Sequence, residues 1–396
     1  MDLDLVWLLL VALPLAFVLG WGASRFDLRQ LRFDSRQAPK AYFKGLNYLL
    51  NEQQDQAIDA FIEAVQNDPD TSELHFALGN LFRRRGEFQR AVRVHEHLLS
   101  RGDLSADDHQ RAQHALALDF LKAGVLDRAE EALRKLDGGP LEKQSLIALL
   151  AIFERSRDWE QAAVCARRLH TASDSKEGEF EDRIAHYLCE QAISLRACDE
   201  PAGRKLLERA VMTAPHAPRA RIELAQWQAA AGESLAAFRT LKTLCNAAPD
   251  ALPLAAGQFA QLASTIDTRT EALALLQTSY ARTPSLDVLD AIVALKQATG
   301  AATTTSPSDA ADAPRNLYVA HLDRVPSLVA AARWLADEKI EHEQFRPQLQ
   351  RTLERATRPL TRYRCASCGF EASLHFWHCP GCQSWDSYST RRVDEL

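Results

Sequence analysis

Four cysteines near the C-terminus form two pairs, and each pair has two residues between its members. A CxxC pair places two sulfurs on one turn of the chain, and two facing pairs complete a tetrahedral cage of four thiolates around one metal ion. A disulfide framework is the alternative, but it is typical of small secreted domains in oxidising compartments. The spacing therefore predicts a metal site with the ligands Cys365, Cys368, Cys379 and Cys382.

The predicted site has no open coordination position. A closed tetrathiolate holds structure or carries single electrons, and it does not activate water. His375 and His378 lie between the pairs and offer alternative ligands, but the cysteines already supply four, so we expect both histidines beside the site. Zinc and iron both suit four thiolates, so the metal stays open. A segment of about 36 residues with few apolar side chains should unfold when the metal is lost.

An apolar stretch near the other end predicts a membrane anchor. Residues 5–23, LVWLLLVALPLAFVLGWGA, carry no charge over nineteen positions, close to the ~20 that cross a hydrocarbon core as a helix. A cleaved signal peptide is the alternative, but it requires a basic start, whereas Asp2 and Asp4 precede this span. Because the segment at 24–40 is basic, residues 1–4 should face outward and the body of the chain the cytoplasm.

A repeat occupies the middle of the chain. Three positions recur 34 residues later, which is the tetratricopeptide period: Gly45 as Gly79, Tyr48 as Phe82, and Ala57 as Ala91. Phe61, Ala64 and Pro69 complete the first unit, and prolines at 215, 249 and 284 close later ones. The fifth unit is less regular, since Gly203 opens it without the usual alanine at the first contact position.

About seven such units fit between residues 41 and 284, and the array is predicted to extend to residue 296. Each helix pair must bury its apolar face against its neighbours, so the pairs should stack into a right-handed solenoid whose concave surface holds a protein segment. The remaining cysteines fall within these units and should be small buried apolar side chains: Cys165, Cys189, Cys198 and Cys245.

The composition changes after the array. Residues 297–315 are rich in Ala, Thr, Ser and Asp, which predicts a flexible linker. Helical periodicity returns at 325–335 and 345–353, so 316–360 should form a helical connector or cap before the metal module at 361–396. Arg351, Arg355 and Arg358 share one helical face, and with a net charge of −6 we expect a solvated or internally paired face rather than a nucleic-acid site.

Motifs of common enzymes are missing from the sequence. It contains no GxxxxGK phosphate loop and no GxSxG elbow, and neither His95-Glu96 nor His342-Glu343 has the second histidine of a metalloprotease helix. We therefore expect a protein without catalytic residues.

This order of elements resembles the lipopolysaccharide assembly protein B family of Gram-negative bacteria. The likeness covers essentially the full length, and its most specific part is the ending CxxCGF…WHCPxCxxW, which is similar to that family's rubredoxin-type module. The four cysteines carry over one by one, whereas Gln383 stands where electron-transfer rubredoxins usually have glycine. The expected fold is all-α: a tetratricopeptide-repeat right-handed solenoid, an N-terminal transmembrane helix and a small C-terminal rubredoxin-type or zinc-ribbon metal module.

What the resemblance implies is regulation at the inner membrane, with the N-terminus in the periplasm. Members of that family act with the protease FtsH to set the level of LpxC, the deacetylase that commits material to lipid A, and associate with lipopolysaccharide assembly and transport proteins. The expected cofactor is one iron, by the rubredoxin-type resemblance, or zinc. The alternative function is an electron-transfer protein that docks a redox partner through its repeats. Whether copies of the chain associate stays open.

Overall fold

The computed structural model describes residues 43–68, 71–172, 179–300, 307–338 and 343–396. The predicted outer segment 1–4, the membrane span 5–23 and the basic segment 24–40 lie outside these residues. Within the described ranges, no helix combines the length and the apolar character that crossing a membrane requires. The chain divides into two compact units between Arg157 and Asp158.

The first unit consists of helices joined by short turns. Gly86 ends one helix at φ +84° and Gly124 ends another at φ +79°, a left-handed conformation that glycine adopts at little cost and that terminates helices. Consecutive helices pack against each other. They are α1 (43–50), α2 (Gln54–Asn67), α3 (Ser72–Arg85), α4 (Phe88–Leu99), α5 (Ala106–Ala123), α6 (Leu126–Arg134) and α7 (Glu142–Ser156).

Small residues of the repeat pattern lie where these helices touch. Ala57 and Ala91 have no exposed surface. A Cβ added to Gly79 would lie 2.5 Å from the ring of His95 on the next helix, and one added to Gly45 would lie 2.8 Å from the ring of Phe61. Nothing larger fits at these contacts, so close packing of the helices requires the small residues from which the repeats were predicted.

A buried polar group joins α3, α4 and α5. Nδ1 of His95 lies 2.5 Å from Oδ2 of Asp119, and Nη1 of Arg83 donates to the other carboxylate oxygen over 2.8 Å. His95 and Asp119 are both fully buried. A buried carboxylate is tolerated only when it is paired and hydrogen-bonded, so these three side chains depend on one another.

The second unit continues the helical pairs. Its helices are α8 (Trp159–Ala172), α9 (Glu179–Leu195), α10 (Glu200–Thr213), α11 (Pro218–Ala230), α12 (Ser234–Ala247), α13 (Ala256–Thr265), α14 (Arg269–Arg282), α15 (Leu286–Gly300), α16 (Pro307–Leu322), α17 (Leu328–Asp337) and α18 (Arg346–Thr357). Short 3-10 turns lie at Pro249–Leu254, Glu343–Phe345 and Val393–Glu395. Pro215, Pro249 and Pro284 each directly follow the C-cap residue of α10, α12 or α14, where a residue that cannot continue a helix is common.

The irregular fifth unit has a physical explanation. A Cβ added to Gly203 would lie 2.5 Å from the Trp227 ring and 3.1 Å from the carbonyl oxygen of Ala192. The position that usually holds alanine holds glycine here because the Trp227 ring occupies the space of a methyl group.

The linker predicted for 297–315 differs from the structure. Helix α15 continues to Gly300 and α16 begins at Pro307, while residues 301–306 lie outside the described ranges. Proline suits the first turn of a helix, and the alanines that follow have the highest helix propensity. The low hydrophobicity of this segment was therefore mistaken for an absence of helix.

A small sheet lies near the C-terminus, which the expectation of an all-α fold did not include. Strands β1 (Tyr363–Arg364) and β2 (Glu371–Ala372) pair antiparallel, with Tyr363 opposite Ala372 and Arg364 opposite Glu371. The turn between them contains the first cysteine pair, so the sheet positions the metal module's first knuckle.

Candidate metal centre

The four predicted cysteines lie together. Their Sγ atoms are within 4.8 Å of one another, with 3.8 Å between Cys365 and Cys382 and 3.7 Å between Cys368 and Cys379. A tetrahedral ion with metal–sulfur bonds of about 2.3 Å requires sulfur–sulfur edges of about 3.8 Å. The two short edges match this value, and the four sulfurs are close enough together to be the ligands of one metal ion.

Both knuckles have the same backbone geometry. The amide of Gly369 donates to the carbonyl of Cys365 and that of Gln383 donates to the carbonyl of Cys379, both over 2.9 Å. Gly369 has φ +77° and Gln383 has φ +60°, so each residue after a pair is left-handed. A non-glycine side chain costs about 1–2 kcal/mol in this conformation. Gln383 therefore adopts the same left-handed conformation after the second pair as Gly369 does after the first.

One sulfur of each pair faces inward and the other faces solvent. Cys365 and Cys379 are buried, whereas Cys368 and Cys382 are exposed. Burial raises the pKa of Cys365, but hydrogen bonds with Ser387 and with the amides of Cys368 and Ser367 outweigh it and lower that pKa to about 6. A hydrogen bond with Ser384 lowers the pKa of Cys382. The polar surroundings thus favour the thiolate form that a metal requires at Cys365 and Cys382. At Cys368 the backbone amide of Phe370 lowers the pKa, but burial and hydrogen bonds with the other three thiols outweigh it and raise that pKa to about 12.

The two histidines lie outside the sulfur cluster. Nε2 of His378 donates to the carbonyl oxygen of Gln383 over 3.0 Å, and the His378 ring stacks on Trp385 with centroids 4.3 Å apart. His375 meets the ring of Trp377 edge-on at 4.7 Å, and burial lowers its pKa to about 4. Within the described residues, the group of side chains that could hold a metal ion consists of the four cysteines.

Trp385, three residues beyond the second pair, docks the module on the helices. It lies against His186 of α9 with ring centroids 4.8 Å apart, and it meets Trp159 of α8 edge-on at 6.0 Å. The guanidinium of Arg219, at the start of α11, lies 6.0 Å from its centroid. Three helices therefore form the receptor for one indole ring.

A hydrogen bond accompanies this aromatic contact. Nε2 of His186 lies 2.7 Å from Oδ2 of Asp386, the residue after Trp385. On the other side of His186, the Arg219 guanidinium lies 3.5 Å from Nδ1 and donates to Glu190 over 2.6 Å. Sequence reasoning missed this receptor because His186 and Asp386 are 200 positions apart and no motif connects them.

The C-terminal residues form a second attachment. The Arg392 guanidinium donates two hydrogen bonds to the carboxylate of Asp287 on α15, over 2.8 and 3.0 Å. The Glu395 carboxylate accepts from the amide of Leu286 at 2.5 Å, and Asp394 accepts from the amide of Val329 at 3.2 Å. Carboxylates at helix N-termini accept hydrogen bonds from free amides and interact favourably with the positive end of the helix dipole. The C-terminal residues therefore stabilise the N-terminal ends of α15 and α17.

The structure agrees with some of the remaining predictions for cysteine and arginine side chains and differs from others. Cys165 and Cys189 are buried as expected, whereas Cys245 is only partly buried. Cys198 is exposed, because it lies in the turn between α9 and α10 rather than on a packed helix face. Burial raises the pKa of Cys189 to about 12, so this thiol stays protonated. Arg351 and Arg355 are exposed on α18 and Arg358 is exposed at its C-cap, and among the described residues none of the three is paired with a carboxylate.

Curated relatives match nearly the whole chain. Lipopolysaccharide assembly protein B of Escherichia coli (strain K12) is 29% identical over 396 residues, which cover 96% of this chain and 97% of that one. The protein of the same name from Haemophilus influenzae (strain ATCC 51907 / DSM 11121 / KW20 / Rd) is 25% identical over 406 residues, covering 97% and 98%. This chain resembles lipopolysaccharide assembly protein B. The resemblance predicted from the ending and the order of elements is confirmed.

Family models match two segments. Residues 363–388 match a rubredoxin metal binding domain, and residues 74–107 match a tetratricopeptide repeat. Among solved structures, a tetratricopeptide repeat protein from Parabacteroides merdae ATCC 43184 aligns with a TM-score of 0.33 and 11% identity, covering 65% of this chain and 98% of that one. The described residues are mostly helical, and the segments that match family models are a tetratricopeptide repeat and a C-terminal rubredoxin metal binding domain.

Proposed function

We propose that this protein is a membrane-tethered adaptor that regulates lipopolysaccharide synthesis. Its named relatives support a role in lipopolysaccharide assembly, and tetratricopeptide arrays commonly hold protein segments. The observation that carries the proposal is the docking of Trp385 against α8, α9 and α11. A metal module fixed to the repeat helices is suited to shaping a binding surface.

The tether is the predicted span at 5–23, with residues 1–4 in the periplasm and the body of the chain in the cytoplasm. The uncharged stretch and its basic flank support this topology. Tethering raises the local concentration of the adaptor at the membrane, where a membrane-bound protease and its client would meet. A reporter fused after Leu396 should be active only if it functions in the cytoplasm, and activity of a periplasmic reporter there would contradict this orientation.

The metal has a structural role in this proposal. Cys365, Cys368, Cys379 and Cys382 hold one zinc or iron ion, which orders the loop that carries Trp385 and Asp386. The module's own buried cluster is small, with Tyr363, Cys365, Cys379 and Tyr388 at its centre. Such a cluster is insufficient without the metal, so the metal maintains the docked form.

The proposed activity is to promote FtsH-dependent proteolysis of LpxC. Cells carrying Trp385→Ala should degrade LpxC more slowly, so LpxC and lipopolysaccharide should rise together. Phe370→Ala is the matched control, because Phe370 belongs to the same module but is 44% exposed. Pulse-chase measurement of the LpxC half-life tests the proposal. An unchanged half-life in cells that lack this protein altogether would refute it.

A second candidate, a rubredoxin-like electron carrier, is favoured by the exposure of Cys368 and Cys382. Electron transfer to a docked partner benefits from sulfurs at the surface. Exchange of metal separates the two functions, because an adaptor needs only the fold whereas an electron carrier needs the redox couple. Normal LpxC turnover with zinc as the bound ion would exclude the electron carrier.

A further inference from the structure

A pocket of about 500 Å³ lies between α13, α15 and the metal module. Helix α13 contributes Gly257, Gln258 and Gln261, α15 contributes Ala291 and Ala294, and the module closes the pocket with Tyr363 and Arg392. Helices α13 and α15 pack directly against each other. The volume falls within the range of pockets that hold ligands, roughly 300–1,000 Å³.

The charged groups of this pocket are neutralised within the chain. Arg392 is paired with Asp287, and its guanidinium also donates to the carbonyl of Thr361 over 2.7 Å. Asp290 accepts from the hydroxyl of Tyr318 over 2.8 Å and is paired with Arg333. Because each carboxylate already has a cationic partner, the pocket has no net charge with which to select an ion.

Two primary amides remain available. Gln258 and Gln261 are three positions apart and so share one face of α13. Within the described residues, neither side chain forms a hydrogen bond to the protein. A primary amide offers both a donor and an acceptor, which are the two groups of a peptide unit. The small side chains of Gly257, Ala291 and Ala294 leave room for another backbone to approach.

We infer that this pocket binds an extended, uncharged polypeptide segment of a client protein. Gln258 and Gln261 hydrogen-bond to the segment's peptide groups, and Leu254 and Pro253 contact an apolar side chain at one end of the pocket. Tyr363 and Arg392 form the wall that the metal module supplies. The inference rests on the proposed adaptor function and adds the location and the chemistry of the client site.

Gly257 allows a direct test. It lies in the first turn of α13, is exposed, and a Cβ added to it would meet no atom within 4 Å. Gly257→Phe therefore fills the pocket without forcing the helix to move, and replacing a helical glycine does not cost helix propensity. Gln277→Phe is the matched control, because Gln277 is exposed on α14 and does not line the pocket.

Binding of purified LpxC to the full-length protein is measured by biolayer interferometry for the wild type and these variants. Gly257→Phe should weaken binding at least tenfold, while Gln277→Phe should bind within twofold of the wild type. Gln258→Ala combined with Gln261→Ala should weaken binding about tenfold, since two hydrogen bonds are lost. Metal content and the thermal midpoint, measured on each variant, should match those of the wild type.

The outcomes are distinguishable. Wild-type binding of LpxC together with undiminished binding by Gly257→Phe would overturn the pocket and leave the adaptor function standing. Failure of the wild type to bind LpxC would overturn the proposed client and the inference together. Weakened binding by Gly257→Phe and by the double alanine variant, with a normal control, supports both.

Discussion

Removal of the Trp385 ring should undock the metal module without removing its metal. The ring contacts His186, Trp159 and Arg219, whereas the four cysteines are untouched by Trp385→Ala. A tryptophan buries about 150–250 Å², and for this partly buried ring about 120 Å² at 25 cal/mol/Å² gives roughly 3 kcal/mol. We therefore expect the free energy that holds the module against α8, α9 and α11 to fall by about 3 kcal/mol.

Hydrogen exchange of residues 363–388 in the full-length protein measures this free energy. A loss of about 3 kcal/mol corresponds to exchange that is about a hundredfold faster, while elemental analysis should still find one metal ion per chain. Phe370→Ala should leave exchange near that of the wild type, because Phe370 is 44% exposed. Equal exchange in Trp385→Ala and the wild type would show that the receptor on the helices does not hold the module.

Three further changes test the helices by thermal or denaturant unfolding. Asp119→Asn should destabilise the first unit by about 3 kcal/mol, since it leaves buried His95 and Arg83 without their carboxylate. Asp55→Asn, at an exposed ion pair, should cost under about 1 kcal/mol. Equal losses of stability in the two variants would contradict the account. Ala91→Leu should cost about 1–3 kcal/mol by overpacking a fully buried site, and an unchanged midpoint would refute the repeat register. Burial raises the pKa of Glu223, so its contribution to stability is present at low pH and is lost as pH rises through the folded-state pKa. Glu223→Gln should therefore stabilise the protein at pH 7 and not at pH 3. An equal gain in stability at both pH values would contradict this.

The features predicted from sequence are those fixed by short-range spacing. The sulfurs of Cys365 and Cys368, like those of Cys379 and Cys382, are brought together by one turn, so their spacing alone indicated the cluster. Ala57 and Ala91 were predicted because every repeat needs a small residue at the same helix contact. Pro249 and Pro284 marked helix ends because proline cannot continue a helix.

The docking surface could not be predicted in this way. His186 gives no signal in sequence, since its partner Asp386 lies 200 positions away. Glu395 likewise lies 109 positions from Leu286, the residue at the start of α15 whose amide its carboxylate accepts from. Helix α16 was missed because a segment rich in alanine, serine and aspartate has the composition of a linker, and its helix also depends on packing against α15 and α17.

The central claim is that a metal ion keeps the C-terminal module folded on the repeat helices and that this form is the active adaptor. The most direct measurement is metal content together with the LpxC half-life in cells that express Cys379→Ser at the wild-type level. We predict protein without bound metal, intact helices by circular dichroism, disorder from about residue 361 onward, and a lengthened LpxC half-life. Metal-free Cys379→Ser protein with a normal LpxC half-life would contradict the account.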